Sequence, residues 1–223
     1  MEGTGKLFFR QEPQLASRYT VVCLPSRHEP PFDYAGLIND VAAVLDAEGA
    51  QQATIVAESF GGTVALQFAL QHQDRIHQLV LINTFPYFRR RIRLLLGQLL
   101  LPLTFIRLGN GVREWFYKLV LRMEDVDQAA ASKLLECSFS HGLPTSKQRM
   151  SLIRSLDVRD RLPEIKVPVT LIASGRDKLT PSIKEARFMA SQMPNARVVI
   201  LPKHGHTPLV TESFSLASVL SGF

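Results

Sequence analysis

Four short runs in this chain carry apolar residues on both faces that a pleated strand would present: Ala53–Ala57, Gln78–Asn83, Val167–Ala173 and Arg197–Leu201. A strand with one wet face alternates; one without alternation must be covered on both sides. Helical patterns separate these runs. Asp33 can cap a helix over about 35–48, with Leu37, Ile38, Val41, Val44 and Leu45 at 3–4 spacing and Gly49 as its stop. Further helices are expected from Ser59 to about Gln71, over about 182–192 and over about 208–220. The alternation predicts an α/β fold: a mostly parallel sheet with helices on both faces. A further strand is expected at Arg18–Leu24, ended by the turn-rich Pro25–Pro31.

Residues 86–160 break the alternation. They are rich in Leu and Arg, helical in pattern, and interrupted by Pro102 and Gly109–Gly111. The organisation expected is a core from 1–85 and 161–223, with 86–160 inserted as a helical lid. At 223 residues and 46% hydrophobic, the chain can bury one full core.

The net charge of +6 is local. Between Phe85 and Asp125, eight basic residues face three acidic ones, a net of +5, so the excess describes one surface and not a nucleic-acid-binding domain. Cys23 and Cys137 lie in unrelated segments and imply neither a disulfide framework nor a metal site, which fits a reducing compartment. No signal-peptide core follows Met1 and no uncharged run reaches membrane-spanning length. The chain reads as soluble and cytoplasmic.

In open parallel sheets, sites lie beyond the strand C-termini. Ser59, Asp177 and His206 each follow an expected strand in such a loop. Ser59 stands between a β-branched strand and a helix in Ala57-Glu58-Ser59-Phe60-Gly61-Gly62, close to the pattern G-x-S-x-G with Ala57 in its first small position. A turn that exposes a serine beside a base and backbone N–H groups makes a nucleophile of a poor one. Each residue also has a plainer reading: Ser59 as a helix cap, Asp177 as a turn aspartate bonding its own backbone, His206 as a solvated histidine. His204 fits that last reading better, and His28, His72, His77 and His141 have no partner pattern. Asp40, Asp46 and Asp74 fall on helix surfaces or ends, and no step is assigned to Glu58. No His-Glu-x-x-His or clustered ligand set supports a metal, and Gly3–Leu7 lacks the spacer and preceding strand of a phosphate loop.

Three stretches together carry a resemblance: the elbow at 57–62, Ala173–Pro181, and His204-Gly205-His206-Thr207-Pro208. In this order they resemble the α/β-hydrolase fold family, specifically its small lid-bearing serine hydrolases and esterases, over roughly 8–85 and 160–220. The resemblance implies Ser59 as nucleophile, His206 as general base, Asp177 as the residue orienting His206, and the Phe60 N–H as one oxyanion donor. It implies no cofactor and no metal. It also implies an earlier strand ending in His-Gly, between the Arg18–Leu24 strand and the elbow strand, whose loop gives the other oxyanion donor. No such strand stands in this sequence. Leu7–Ala16 resembles the short helix that follows it, so the other donor would come from Met1–Gly5 or be lacking.

The function expected is hydrolysis of an ester, or a related acyl bond, of a small to medium hydrophobic substrate, in a carboxylesterase-like manner. The alternative is a catalytically impaired α/β-hydrolase-like binding protein whose basic apolar lid docks a membrane or protein partner. Phe88–Leu101 joins a basic cluster to an apolar run, and Trp115–Tyr117 follow. Two readings of that region stand: a lid packed over an acyl pocket with solvated arginines, or a surface that also leans peripherally on anionic membrane.

Overall fold

The computed structural model describes residues 3–89, 92, 95, 96, 126–139 and 142–221. Among these, four strands form one parallel sheet in the order β1 (Ala53–Glu58), β2 (Ile76–Ile82), β3 (Val169–Ser174), β4 (Ala196–Leu201). The sheet is bordered by α1 (Glu12–Leu15), α2 (Tyr34–Ala47), α3 (Phe60–Ala69), α4 (Gln128–Phe139), α5 (Leu143–Ser155), α6 (Ser182–Gln192) and α7 (Leu216–Leu220). The fold is α/β, as the strand and helix patterns predict.

The central strands show why those runs lack alternation. Leu79 and Leu81 of β2 join a cluster with Phe68 of α3, Leu37 of α2 and Met189 of α6. Their neighbours Val80 and Ile82 point the other way, against Leu15, Leu209, Phe214 and Leu216. Both sets are almost fully buried. Each such side chain contributes roughly 1.5–3 kcal/mol on leaving water, so neither face of β2 tolerates a polar register slip. The start of α2 follows from its cap: Asp33 Oδ1 accepts the Gly36 N–H at 2.8 Å.

Two expected elements differ. Arg18–Leu24 forms no strand. A strand is a pairwise object, and β1 makes its ladder with β2 alone among the described strands. The segment runs without a ladder, with Tyr19 and Val22 nearly half exposed, and just beyond it the Ser26 N–H donates to Gly3 O at 2.7 Å. The expected helix over 208–220 is a 3-10 turn at Pro208–Val210, an irregular stretch, and then α7. The cause is Gln11, fully buried, whose Nε2 donates to Leu209 O (2.9 Å) and Phe214 O (3.2 Å) while its Oε1 accepts the Leu216 N–H (2.8 Å). This one amide satisfies backbone groups that a continuous helix would have paired internally.

Between β2 and β3 the described residues form α4 and α5. The two ends of this stretch meet at a bridge between Tyr87 and Asp157 and at the Val158 N–H, which donates to Pro86 O at 3.0 Å. Of the Phe88–Leu101 run, Phe88, Arg89, Ile92, Leu95 and Leu96 are described. Its other residues, together with Pro102, Gly109–Gly111, Trp115–Tyr117 and most of the basic cluster, lie outside the described residues. No helix among the described residues is long and apolar enough to cross a membrane.

Candidate active site

Ser59 occupies the single residue between β1 and α3, at φ 54° and ψ −119°. A non-glycine residue there costs of order 1–3 kcal/mol and persists only where its surroundings hold it. Here they do: the Ser59 N–H donates to Ile82 O (2.9 Å), and Ser59 O accepts from Thr84 Oγ1 (2.8 Å) and the Gly62 N–H (3.0 Å). The Ser59 hydroxyl makes no capping bond to α3. It meets His206 Nε2 at 2.9 Å instead.

The two small positions behind the serine are not equivalent. A methyl on Gly62 would sit 2.5 Å from Thr84 Cβ and Oγ1, whereas one on Gly61 would lie 3.9 Å from the Ala57 methyl, an ordinary contact. Alanine at 57 is therefore compatible with the tight strand–helix junction.

Asp177 follows β3 and divides its two oxygens between two tasks. Oδ1 accepts the Leu179 (2.8 Å) and Thr180 (3.0 Å) N–H groups, the turn use of an aspartate. Oδ2 accepts from His206 Nδ1 at 2.7 Å, from Thr180 Oγ1 at 2.7 Å and from Ser182 Oγ. Burial pushes this carboxyl up, but the charge and hydrogen bond of His206, the Ser182 hydroxyl and the Thr180 N–H outweigh burial and hold it down at about 2. An ionised carboxylate only accepts, so the Nδ1 facing it carries the hydrogen, and Nε2 is the ring atom that faces the Ser59 hydroxyl. The His206 and Asp177 side chains are 7% and 0% exposed.

The structure thus brings together Ser59, Asp177 and His206 from loops after β1, β3 and β4. Phe60 opens α3, where the first N–H groups have no intrahelical acceptor; its buried ring lies 6.4 Å from Tyr34 and 5.8 Å below the Arg149 guanidinium. Of Met1–Gly5, Gly3 lies against Arg149 and Gly5 against the Cys23 backbone, and Met1 and Glu2 fall outside the described residues.

The other histidines and acids sit elsewhere. His204 Nε2 meets Ser213 Oγ at 3.0 Å and its ring packs edge-on to Phe214. His72 stacks near Phe68, and His141 lies outside the described residues. Asp40 pairs with Arg27 and Asp46 with Arg75, both at 2.7 Å. Among the described residues no cluster of His, Cys, Asp and Glu could hold a metal ion.

Sequence reasoning missed Asn83, which closes β2 at φ 47°. Its Nδ2 donates to Ser174 Oγ (2.9 Å), His206 O (2.7 Å) and, more weakly, Gly205 O (3.4 Å), while Oδ1 accepts the Ser174 N–H (2.8 Å). One fully buried amide joins the ends of β2 and β3 to the His206 loop. The signal was present as an asparagine ending an apolar strand, the residue type that best tolerates positive φ after glycine. Thr84, Thr180 and Ser182 carried no signal, because a hydroxyl's partner cannot be read from its own position.

Residues 3–215 match the sequence model of the alpha/beta hydrolase family. RutD of Caulobacter sp. (strain K31), provisionally named a carbamate hydrolase, is 28% identical over 243 residues, covering 99% of this chain and 87% of that protein. A pimeloyl-(acyl-carrier protein) methyl ester esterase of Nitrosomonas europaea is 32% identical over 162 residues, 69% of this chain and 64% of the relative. Among solved structures, an esterase from Exiguobacterium antarcticum superposes with a TM-score of 0.86 at 19% identity, covering 99% of this chain and 87% of the other. The enol-lactonase from Burkholderia xenovorans LB400 gives 0.84 at 20% identity, with coverages of 100% and 87%. At these identities the superpositions speak to the fold alone.

Proposed function

The chain belongs to the alpha/beta hydrolase family and is a hydrolase, and on that premise we propose that it cleaves a carboxylic ester of a small to medium hydrophobic substrate through Ser59, His206 and Asp177. The observation that carries the proposal is the continuous chain from Ser59 Oγ to His206 Nε2 (2.9 Å) and from His206 Nδ1 to Asp177 Oδ2 (2.7 Å).

In this reading His206 Nε2 takes the Ser59 proton as Oγ attacks the carbonyl carbon. The imidazolium that forms is stabilised by Asp177, which keeps its own proton off. The Phe60 N–H, at the positive end of α3, faces the developing oxyanion. Collapse of the tetrahedral adduct expels the alcohol, which takes the proton from His206, and leaves an acyl group on Ser59. Water, deprotonated by the same imidazole, then releases the acid. Residues 86–160, whose ends meet at the Tyr87–Asp157 bridge, act as the lid over the acyl pocket. An ester substrate agrees with the esterase names of several relatives.

A fluorophosphonate probe and a series of p-nitrophenyl esters of increasing acyl length test the reading together. Wild type is expected to label and to turn over short to medium esters, and Ser59→Ala to do neither. Labelling that survives in folded Ser59→Ala would remove Ser59 from the mechanism.

A further inference from the structure

Asp177 Oδ2 has more donors around it than an orienting carboxylate needs. Besides His206 Nδ1 it meets Thr180 Oγ1 at 2.7 Å and Ser182 Oγ, and those two hydroxyl oxygens lie 2.8 Å from each other. Both residues are 3% exposed. The protons limit what this cluster can be. Each hydroxyl has one hydrogen, so the three contacts share two hydrogens. Either both hydroxyls donate to Oδ2, or one donates to the other, which then donates to Oδ2. In both cases at least one hydroxyl hydrogen lies on the oxygen that holds the imidazole. Thr180, Pro181 and Ser182 also form the entry to α6, whose N-terminal end favours negative charge.

We propose that Thr180 and Ser182 are positioning residues for the reaction: their hydroxyls share the Asp177 oxygen with His206 and so set how strongly Asp177 holds the proton-bearing imidazole. The inference rests on the triad reading above. Hydrogen bonds to a carboxylate disperse its charge. With both hydroxyls removed, Oδ2 presents more charge to the His206 Nδ1–H, the imidazolium gains, and neutral His206 becomes available only at higher pH. Oδ1 keeps its two backbone donors, so the carboxylate stays in place. The other charged groups nearby are the exposed Arg176 and Lys178 on the Asp177 turn, Lys184 and Glu185 on α6 (Glu185 paired with Arg89 at 2.6 Å), Lys203 and His204 on the His206 loop, and Glu58 at the end of β1. All are unchanged by substitutions at 180 and 182, so a shift reports the hydroxyls.

The test is the pH profile of kcat/KM on a p-nitrophenyl ester for wild type, Thr180→Val, Ser182→Ala, the double variant and Thr180→Ser. The acid limb is expected to move to higher pH by about half a unit or more in the double variant, less in each single one, with KM within about twofold. Thr180→Ser, which loses the methyl but keeps the hydroxyl, is expected to return the limb to its wild-type position. An unmoved or downward-moved limb in a double variant that melts within a few degrees of wild type would overturn the inference. So would a Thr180→Ser limb displaced as far as that of Thr180→Val. The singles decide the matter if the double variant does not fold. Failure of the triad itself looks different: Ser59→Ala would retain turnover.

Discussion

Replacing Asn83 by alanine probes how the His206 loop is held, and the structure supplies the magnitude. The substitution leaves the Ser174 N–H and the His206 carbonyl without their partners at 2.8 Å and 2.7 Å. Asn83 is 1% exposed, and each stranded buried group costs about 1–3 kcal/mol. Ser174 Oγ also loses the hydrogen it accepts from Asn83 Nδ2, a smaller loss than that of a backbone group because the hydroxyl keeps its own hydrogen to donate. Alanine at φ 47° adds about 1 kcal/mol of backbone strain. The loss expected is therefore about 3–7 kcal/mol, a large part of a typical total of about 5–15 kcal/mol. Urea unfolding with an unchanged slope reads it as a lower midpoint. Asn83→Gly separates the two contributions: it loses the same hydrogen bonds but relieves the strain, and should recover up to about 1 kcal/mol over alanine. Both variants should also label more slowly with a fluorophosphonate, because the loop carrying His206, the proposed base, has lost its tether to the sheet. A midpoint for Asn83→Ala within about 0.5 kcal/mol of wild type would refute this account, and glycine less stable than alanine would refute the strain component.

The two elbow glycines should respond in opposite ways. Gly62→Ala drives a methyl into Thr84 and threatens the Thr84–Ser59 bond, for a loss of about 1–3 kcal/mol, whereas Gly61→Ala fits beside Ala57 and should be neutral or gain up to about 1 kcal/mol; thermal melts of the pair check this. Acid stability should carry the mark of Asp177, whose folded value of about 2 lies below the ~3.9 of an unfolded aspartate. Its contribution is present above about pH 4 and is lost as pH falls toward 2, so the stability gap between wild type and Asp177→Asn should shrink by about 2 kcal/mol over that window, and a gap that stays constant with pH counts against it.

What could be read from the sequence divides along a physical line. The central strands β2 and β3 were readable because burial on both faces writes itself into composition, and α2 because its cap and stop are local; β1 and β4 share the apolar character but are only partly buried, with Arg197 and Ile200 of β4 exposed. Arg18–Leu24 has the composition of a strand, but pairing depends on a neighbour, and no neighbour's position is written in the run itself. The break in 208–220 is set by Gln11, some two hundred residues away in sequence. The order Ser59, Asp177, His206 and their places after strands could be found because each sits in a short motif. The groups that hold them could not. Asn83, Thr84, Thr180 and Ser182 are ordinary polar residues until folding brings their partners within 3 Å.

That support has a direction, which bears on how a strand paired on one side among the described residues can carry the proposed nucleophile. β1 has one strand neighbour among the described residues, and that neighbour is β2. The backbone tethers of the Ser59 turn beyond α3 itself also lead to β2 or the residues just past it: the Ser59 N–H to Ile82 O and Ser59 O to Thr84 Oγ1, with the Gly62 α-carbon against the Thr84 side chain. The next residue along, Asn83, ties the same strand end to Ser174 and His206. The strained serine and the histidine it faces are thus referenced to one strand end, Ile82–Thr84, and their 2.9 Å separation does not depend on pairing at the other edge of β1. A partner on that edge would leave the contacts from Ser59 through His206 to Asp177 where the ends of β2 and β3 hold them.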